Sequence, residues 1–136
     1  MALMTLRPSQ AGECMVIPKQ HVDHFTDLTD DLAAHVIVLA QKIGRRMRTV
    51  FSPQRVGMVV HGFGVPHAHL LLVPQHGPTD ITSGRFAHLA DGKIVYDHTI
   101  LPLPARAELD RHAAMLAGED EPDAFTGTDP RHRALK

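Results

Sequence analysis

His67 and His69, one residue apart in the segment HGFGVPHAHLLLVP (residues 61–74), are the side chains best suited to chemistry in this sequence. A neutral imidazole offers a lone pair for nucleophilic attack, and its second nitrogen can donate a hydrogen bond that fixes the tautomer. A phosphorus centre is a suitable electrophile where nearby donors neutralise the charge that develops on its oxygens. The turn Gly62-Phe63-Gly64-Val65 can expose backbone amides for that purpose, although it lacks the lysine followed by a hydroxyl residue of a phosphate loop. On a strand, His67, His69 and Leu71 share one face while Ala68, Leu70 and Leu72 share the other. Two other readings compete. One makes both imidazoles structural, satisfied by backbone or water. The other makes them zinc ligands; two imidazoles on one strand face can hold one ion, but His61 or His76 would have to complete the set, and Cys14 has no paired motif.

These residues need a scaffold. The strongest helix signal runs from Thr29 to about Arg48, where Leu32, Val36, Leu39 or Ala40, Ile43 and Met47 recur at spacings of three and four. Thr29 is a fitting cap, Asp30 and Asp31 suit the positive end of the helix dipole, and Arg45, Arg46 and Arg48 suit its negative end rather than a phosphate. Short strands are expected at Met4–Leu6, Cys14–Ile17, Val56–His61 and His67–Val73, with Pro18 and Pro74 as stops. Lys93–Thr99 reads as a further strand, Pro104–Leu116 as a second amphipathic helix facing inward with Leu109, Ala113 and Leu116, and Gln75–Gly84 as a surface loop. Residues 1–117 therefore read as one α+β domain, an antiparallel sheet with two principal helices, and residues 118–136 as an exposed tail in which Phe125 either anchors part of the segment or completes a partner surface.

Composition narrows the function. Fourteen basic against fifteen acidic residues give a formal charge of -1, which argues against a polymeric nucleic-acid groove or a polybasic membrane surface. No window approaches the roughly 18 apolar residues of a membrane span, and the N-terminus lacks a cleavage signal, so cytoplasmic residence is expected. The single cysteine, Cys14, reads as a small apolar residue on a buried strand. His88, His98, His112 and His132 read as solvated or locally hydrogen-bonded, and His24 and His35 have only weak claims to a function.

HAHLLLVP together with CMVIPKQHVDHFTDL, in this order over about residues 8 to 76, resembles the histidine-triad family, whose signature alternates three histidines with apolar residues. The resemblance implies an antiparallel meander, N-terminally short here, that forms a homodimer and binds a nucleoside phosphate or dinucleotide. It implies His69 as the nucleophile toward the α-phosphorus, His67 as the first triad histidine, and a nucleotidyl-histidine intermediate in phosphoanhydride or phosphoramidate hydrolysis or nucleotidyl transfer. No cofactor is required by this chemistry, with zinc as the alternative. By the same resemblance His21, Gly62, Phe63, Gly64, Val65 and Leu71 flank the substrate. Leu71 stands where the third histidine belongs and can neither donate nor accept a hydrogen bond, so His61, His76, Ser83 or backbone amides would have to replace it. The glycine turn lacks the family's polar side chains, and residues 56–60 lack its asparagine. The alternative function is therefore a nucleotide-binding or regulatory homodimer without efficient turnover.

Overall fold

The computed structural model describes residues 1–81 and 86–118; Ser83, Phe125, His132 and the tail after Gly118 lie outside them. Its architecture is α+β. Strands β1 (Ala2–Met4), β2 (Cys14–Val16), β3 (Arg55–Val59) and β4 (Leu70–Gln75) form an antiparallel sheet in the order β1-β2-β4-β3. Helix α1 (Asp30–Phe51) packs on that sheet. A separate hairpin of β5 (Ala87–Ala90) and β6 (Lys93–Tyr96) leads to helix α2 (Arg106–Ala117).

The long helix forms where its apolar stripe and caps predict. The Thr29 hydroxyl accepts from the Leu32 amide at 3.4 Å, and Ser52, in the left-handed region at φ 48°, ends the helix. Val36, Ala40, Gly44 and Met47 are its buried residues, at helical spacings of four and three, with Leu39 and Ile43 packed beside the core. Leu70 and Leu72 of β4, with Cys14 and Val16 of β2, meet this stripe from the sheet. The Arg46 guanidinium is turned toward α2, where it donates to the Met115 carbonyl at 3.0 Å. His112 departs from the expected solvated state: it is buried, its ring set edge-on to Phe51 with centroids 5.2 Å apart, because α2 returns over the end of α1.

The β4 strand is displaced from its expected span. Register with β2 ends at the pair Val16–Leu70, and continuing it would set Pro18 opposite Ala68. Proline has no amide hydrogen to extend that ladder. At the other end β4 runs through Pro74, beyond the last β2 pair at Cys14–Leu72, and stays in register with β3, so Pro74 does not stop the strand as expected. The first strand likewise lies at Ala2–Met4 rather than Met4–Leu6; the terminal ammonium donates to the Ile17 carbonyl at 2.7 Å, and Ala2 pairs with Val16.

The loop between β1 and β2 is set by Gly12 and Glu13. The buried Glu13 carboxylate accepts from the Ser9 amide at 2.8 Å and the Ser9 hydroxyl at 2.5 Å. Gly12 has φ +90°, and a Cβ there would lie 2.5 Å from Cε2 of Phe51. Gly12→Ala is therefore expected to cost about 1–3 kcal/mol through backbone strain and displacement of the ring. Urea denaturation reads this directly, and an unchanged midpoint would refute the steric account.

Cys14 is the buried strand residue that its surroundings suggest. Burial, with the Glu13 charge adding to it, pushes the thiol up from 9.0 to about 12. The folded value lies above the unfolded one, so the stability it confers is present below pH 9 and is lost as pH rises from there toward about 12. Alkylation of Cys14 at pH 8 is expected to proceed only as fast as the chain opens; rapid labelling of the native protein would show the thiol to be accessible.

Candidate active site

Two short interruptions in secondary structure build the site. One is the descent from β2 to α1, residues 17–29, and the other is the loop from β3 to β4, residues 60–69. The Ala68 amide donates to the Val22 carbonyl at 2.7 Å and joins the two loops. His67 and His69 thus lie just ahead of β4 rather than within it, on a segment held by loop-to-loop hydrogen bonds.

The hydrogen bonds of these imidazoles assign their neutral tautomers. A carbonyl oxygen only accepts, so His67 Nε2 donates to Pro18 at 3.1 Å and His69 Nδ1 donates to the His67 carbonyl at 2.8 Å. Neutral His67 then has its lone pair on Nδ1, and His21 Nδ1 donates to it at 3.1 Å. His69 is left with its lone pair on Nε2. This is the protonation pattern a nitrogen nucleophile needs, with one ring nitrogen anchored and the other available.

His69 lines a concavity of about 180 Å³ together with residues 23–25, 60–62, 65 and 68. Gly62 and Val65 of the glycine turn therefore share its wall. Phe63 points away and is 95% exposed, and Gly64, at φ +104°, has open space where a Cβ would stand. The His67 amide donates to Val65 at 2.8 Å, which tightens this turn. His21 contacts the His67 ring, and neither of these two is among the residues lining the concavity. Leu71 is half-buried on the sheet, in register with Met15 of β2 and Val59 of β3, and is not among the residues lining the concavity.

Three polar residues join the site beyond those singled out for substrate contact. His61 lines the concavity; it and His69 each lie two residues beyond the last β3–β4 pair, Val59–Leu71. Asp23 and His24 line it from the other loop. The His24 ring caps the following turn, its Nδ1 lying 2.6 Å from the Thr26 hydroxyl and accepting from the Thr26 amide at 3.4 Å. The expected spans, Val56–His61 and His67–Val73, would set His61 against His67, so they did not carry its approach to His69. The arrival of Asp23 and His24 depends on the Ala68–Val22 hydrogen bond and carries no local sequence signal.

The donor set does not fit a closed zinc site. His67 uses one ring nitrogen on Pro18 and the other on His21. Among the described residues, no group of three or more histidine, cysteine, aspartate or glutamate side chains is arranged to hold a metal ion. Among those residues there is also no helix long and apolar enough to cross a membrane.

Known proteins resemble this chain in sequence and in fold. Residues 1–77 match the HIT domain family. The bifunctional bis(5'-adenosyl)-triphosphatase/adenylylsulfatase of Arabidopsis thaliana is 31% identical over 81 residues, which are 56% of this chain and 45% of that protein. An adenosine 5'-monophosphoramidase of Schizosaccharomyces pombe is 27% identical over 77 residues, 55% of this chain and 57% of its own length. The chain thus spans about half the length of the curated relatives it matches. In fold it is similar to a zinc-bound histidine triad family protein of Mycobacterium smegmatis, with a TM-score of 0.59, 24% identity, and coverage of 85% of this chain and 76% of that one. With a matched domain that takes in both the IPK turn and the paired histidines, the chain belongs to the HIT, or histidine triad, family.

Proposed function

We propose that residues 1–117 form one catalytic domain that cleaves nucleotide phosphoanhydrides or phosphoramidates, by hydrolysis or nucleotidyl transfer, with His69 as the nucleophile. The observation that carries this reading is the His69 tautomer: Nδ1 is anchored on the His67 carbonyl, and the lone pair is on Nε2 of a ring lining the concavity. The Nε2 lone pair forms a bond to the α-phosphorus as the bond to the leaving group breaks and the leaving group takes its electron pair. Water then attacks the nucleotidyl-histidine, releases the mononucleotide and returns the electron pair to His69. Backbone amides of the Gly62–Val65 turn and the His21–His67 pair are the proposed phosphate-side supports, and Leu71 lies outside the concavity.

The names of two relatives support this substrate class: one is a bis(5'-adenosyl)-triphosphatase/adenylylsulfatase and the other an adenosine 5'-monophosphoramidase. At about 180 Å³ the concavity is smaller than the roughly 300–1,000 Å³ of sites that enclose a small molecule. It therefore takes the phosphate end, and the nucleoside lies outside it, against the open face or the partner subunit of a homodimer. Neither zinc nor another cofactor takes part in the proposed steps, and a cytoplasmic nucleotide pool would supply the substrate.

The test is to incubate the protein with a diadenosine polyphosphate, an adenosine phosphoramidate and a sugar nucleotide. Wild-type protein is expected to gain the mass of one nucleotidyl group, mapped to His69, and to release mononucleotide. A second reading, nucleotide binding with little turnover, is favoured by Leu71, which removes a donor from the usual triad. Saturable binding without adduct or product from any of the three substrates would select it.

A further inference from the structure

Leu71 leaves the leaving group without the imidazole that the family places along the strand, and another imidazole, His61, lines the concavity from the segment that follows β3. We propose that His61 is the catalytic acid and base of this site, replacing the third triad histidine from that segment. The proposal rests on the reading of His69 as nucleophile and adds to it the source of the proton.

Two observations place His61 there. His61 and His69 each lie two residues beyond the last β3–β4 pair, Val59–Leu71, on the two chain segments that leave that end of the ladder. Independently, both rings line one concavity. The other imidazoles nearby are committed elsewhere. His67 is held by Pro18 and His21, and His24 caps its own turn through Thr26. His76 lies beyond the far end of β4, where its amide donates to Asp80 at 2.8 Å. His61 is exposed, so its ring is open to an entering leaving group.

The proton balance closes over the two steps. His61 enters as the imidazolium. As His69 Nε2 bonds to phosphorus and the bond to the leaving atom breaks, His61 gives its proton to that atom and becomes neutral. In the second step neutral His61 takes a proton from the attacking water, the nitrogen–phosphorus bond breaks toward His69, and the starting protonation state returns. A leaving group that departs as a stable anion has no need of the first transfer, whereas an alkylamine cannot depart without it.

That difference supplies the test. Two substrates are compared: an adenosine phosphoramidate of an alkylamine, and p-nitrophenyl adenylate, whose nitrophenolate leaves unprotonated. His61→Ala is expected to slow adenylylation of His69 by the phosphoramidate about a hundredfold or more, while changing the rate of that same first step with the nitrophenyl ester, read as the burst of nitrophenolate, by less than about threefold. Adding Leu71→His to His61→Ala should recover at least about tenfold on the phosphoramidate, because it restores an imidazole at the family's third position. The alkaline limb of the phosphoramidate pH profile should disappear in His61→Ala and return in the double variant. Equal slowing of both substrates, no slowing of either, or a selective loss in His24→Ala with His61→Ala silent would each overturn the assignment. If p-nitrophenyl adenylate leaves no adenylyl group on wild-type His69, the nucleophile reading fails and this proposal fails with it. An adduct that forms without leaving-group selectivity strikes His61 alone.

Discussion

His69→Ala is expected to abolish the nucleotidyl adduct and to lower turnover at least about a thousandfold, the scale on which loss of a covalent nucleophile is felt in a hydrolase. Nucleotide affinity should fall much less, because the turn amides remain. The effect at His67 should be smaller, for a reason specific to this site. His69 is oriented by the backbone carbonyl of His67, not by its ring, and that carbonyl survives substitution. His67→Ala removes the bonds to Pro18 and His21, which anchor the segment ahead of β4. A loss of about tenfold is expected, on the scale of one or two hydrogen bonds, with the adduct still detectable. Adduct mass and steady-state release of mononucleotide separate the two variants. Retained turnover in His69→Ala would remove the proposed nucleophile altogether.

Leu72→Ala should produce the largest loss of stability. Leu72 is fully buried at the centre of β4, paired with Cys14 on one side and Met58 on the other. It belongs to the core cluster with Val36, Ala40 and Met47 of α1. Truncation removes hydrophobic contact and leaves a cavity that neighbours in two strands and a helix cannot readily collapse into. The expected cost is about 2–5 kcal/mol. For a domain of this size that lowers the melting temperature by roughly 5–20 °C, read by calorimetry or circular dichroism. Leu71→Ala, on the half-buried opposite face, should cost clearly less. Equal effects at the two positions would contradict the assignment of the core to the helix-covered face.

The elements that could be read from sequence are those whose signals are local. Helix α1 carries its cap, its charge gradient and its apolar stripe within its own span, and it formed there. The paired histidines stood out as a candidate site for the same reason: two imidazoles beside a glycine turn are hard to account for as core. What was not legible depends on distant partners. The start of β4 is decided by Pro18, 52 residues away from Leu70, through the register with β2. The His69 tautomer follows from a backbone carbonyl and could not be seen in the alternation that suggested it. Only β6 of the second hairpin was expected, because Ala87-His88-Leu89-Ala90 is short and weakly patterned. The turn between its two strands holds Asp91 and Gly92 in the left-handed region, at φ 50° and 71°. His112 was misplaced because polarity was its only local cue, whereas its burial comes from contact with Phe51.

The strand order β1-β2-β4-β3 also sets a timetable for synthesis on the ribosome. β2 and β3 do not touch; each finds its neighbour in β4, the last of the four strands to be made. While the nascent chain is shorter than residue 70, α1 can coil but has no completed sheet on which to bury Val36, Ala40 and Met47. Collapse must therefore await the emergence of the segment that also brings in His67 and His69. A truncated nascent product ending before β4 would carry an exposed apolar stripe, an open edge on the β1–β2 pair and a β3 strand without a partner, a form suited to chaperone capture or aggregation rather than to partial activity.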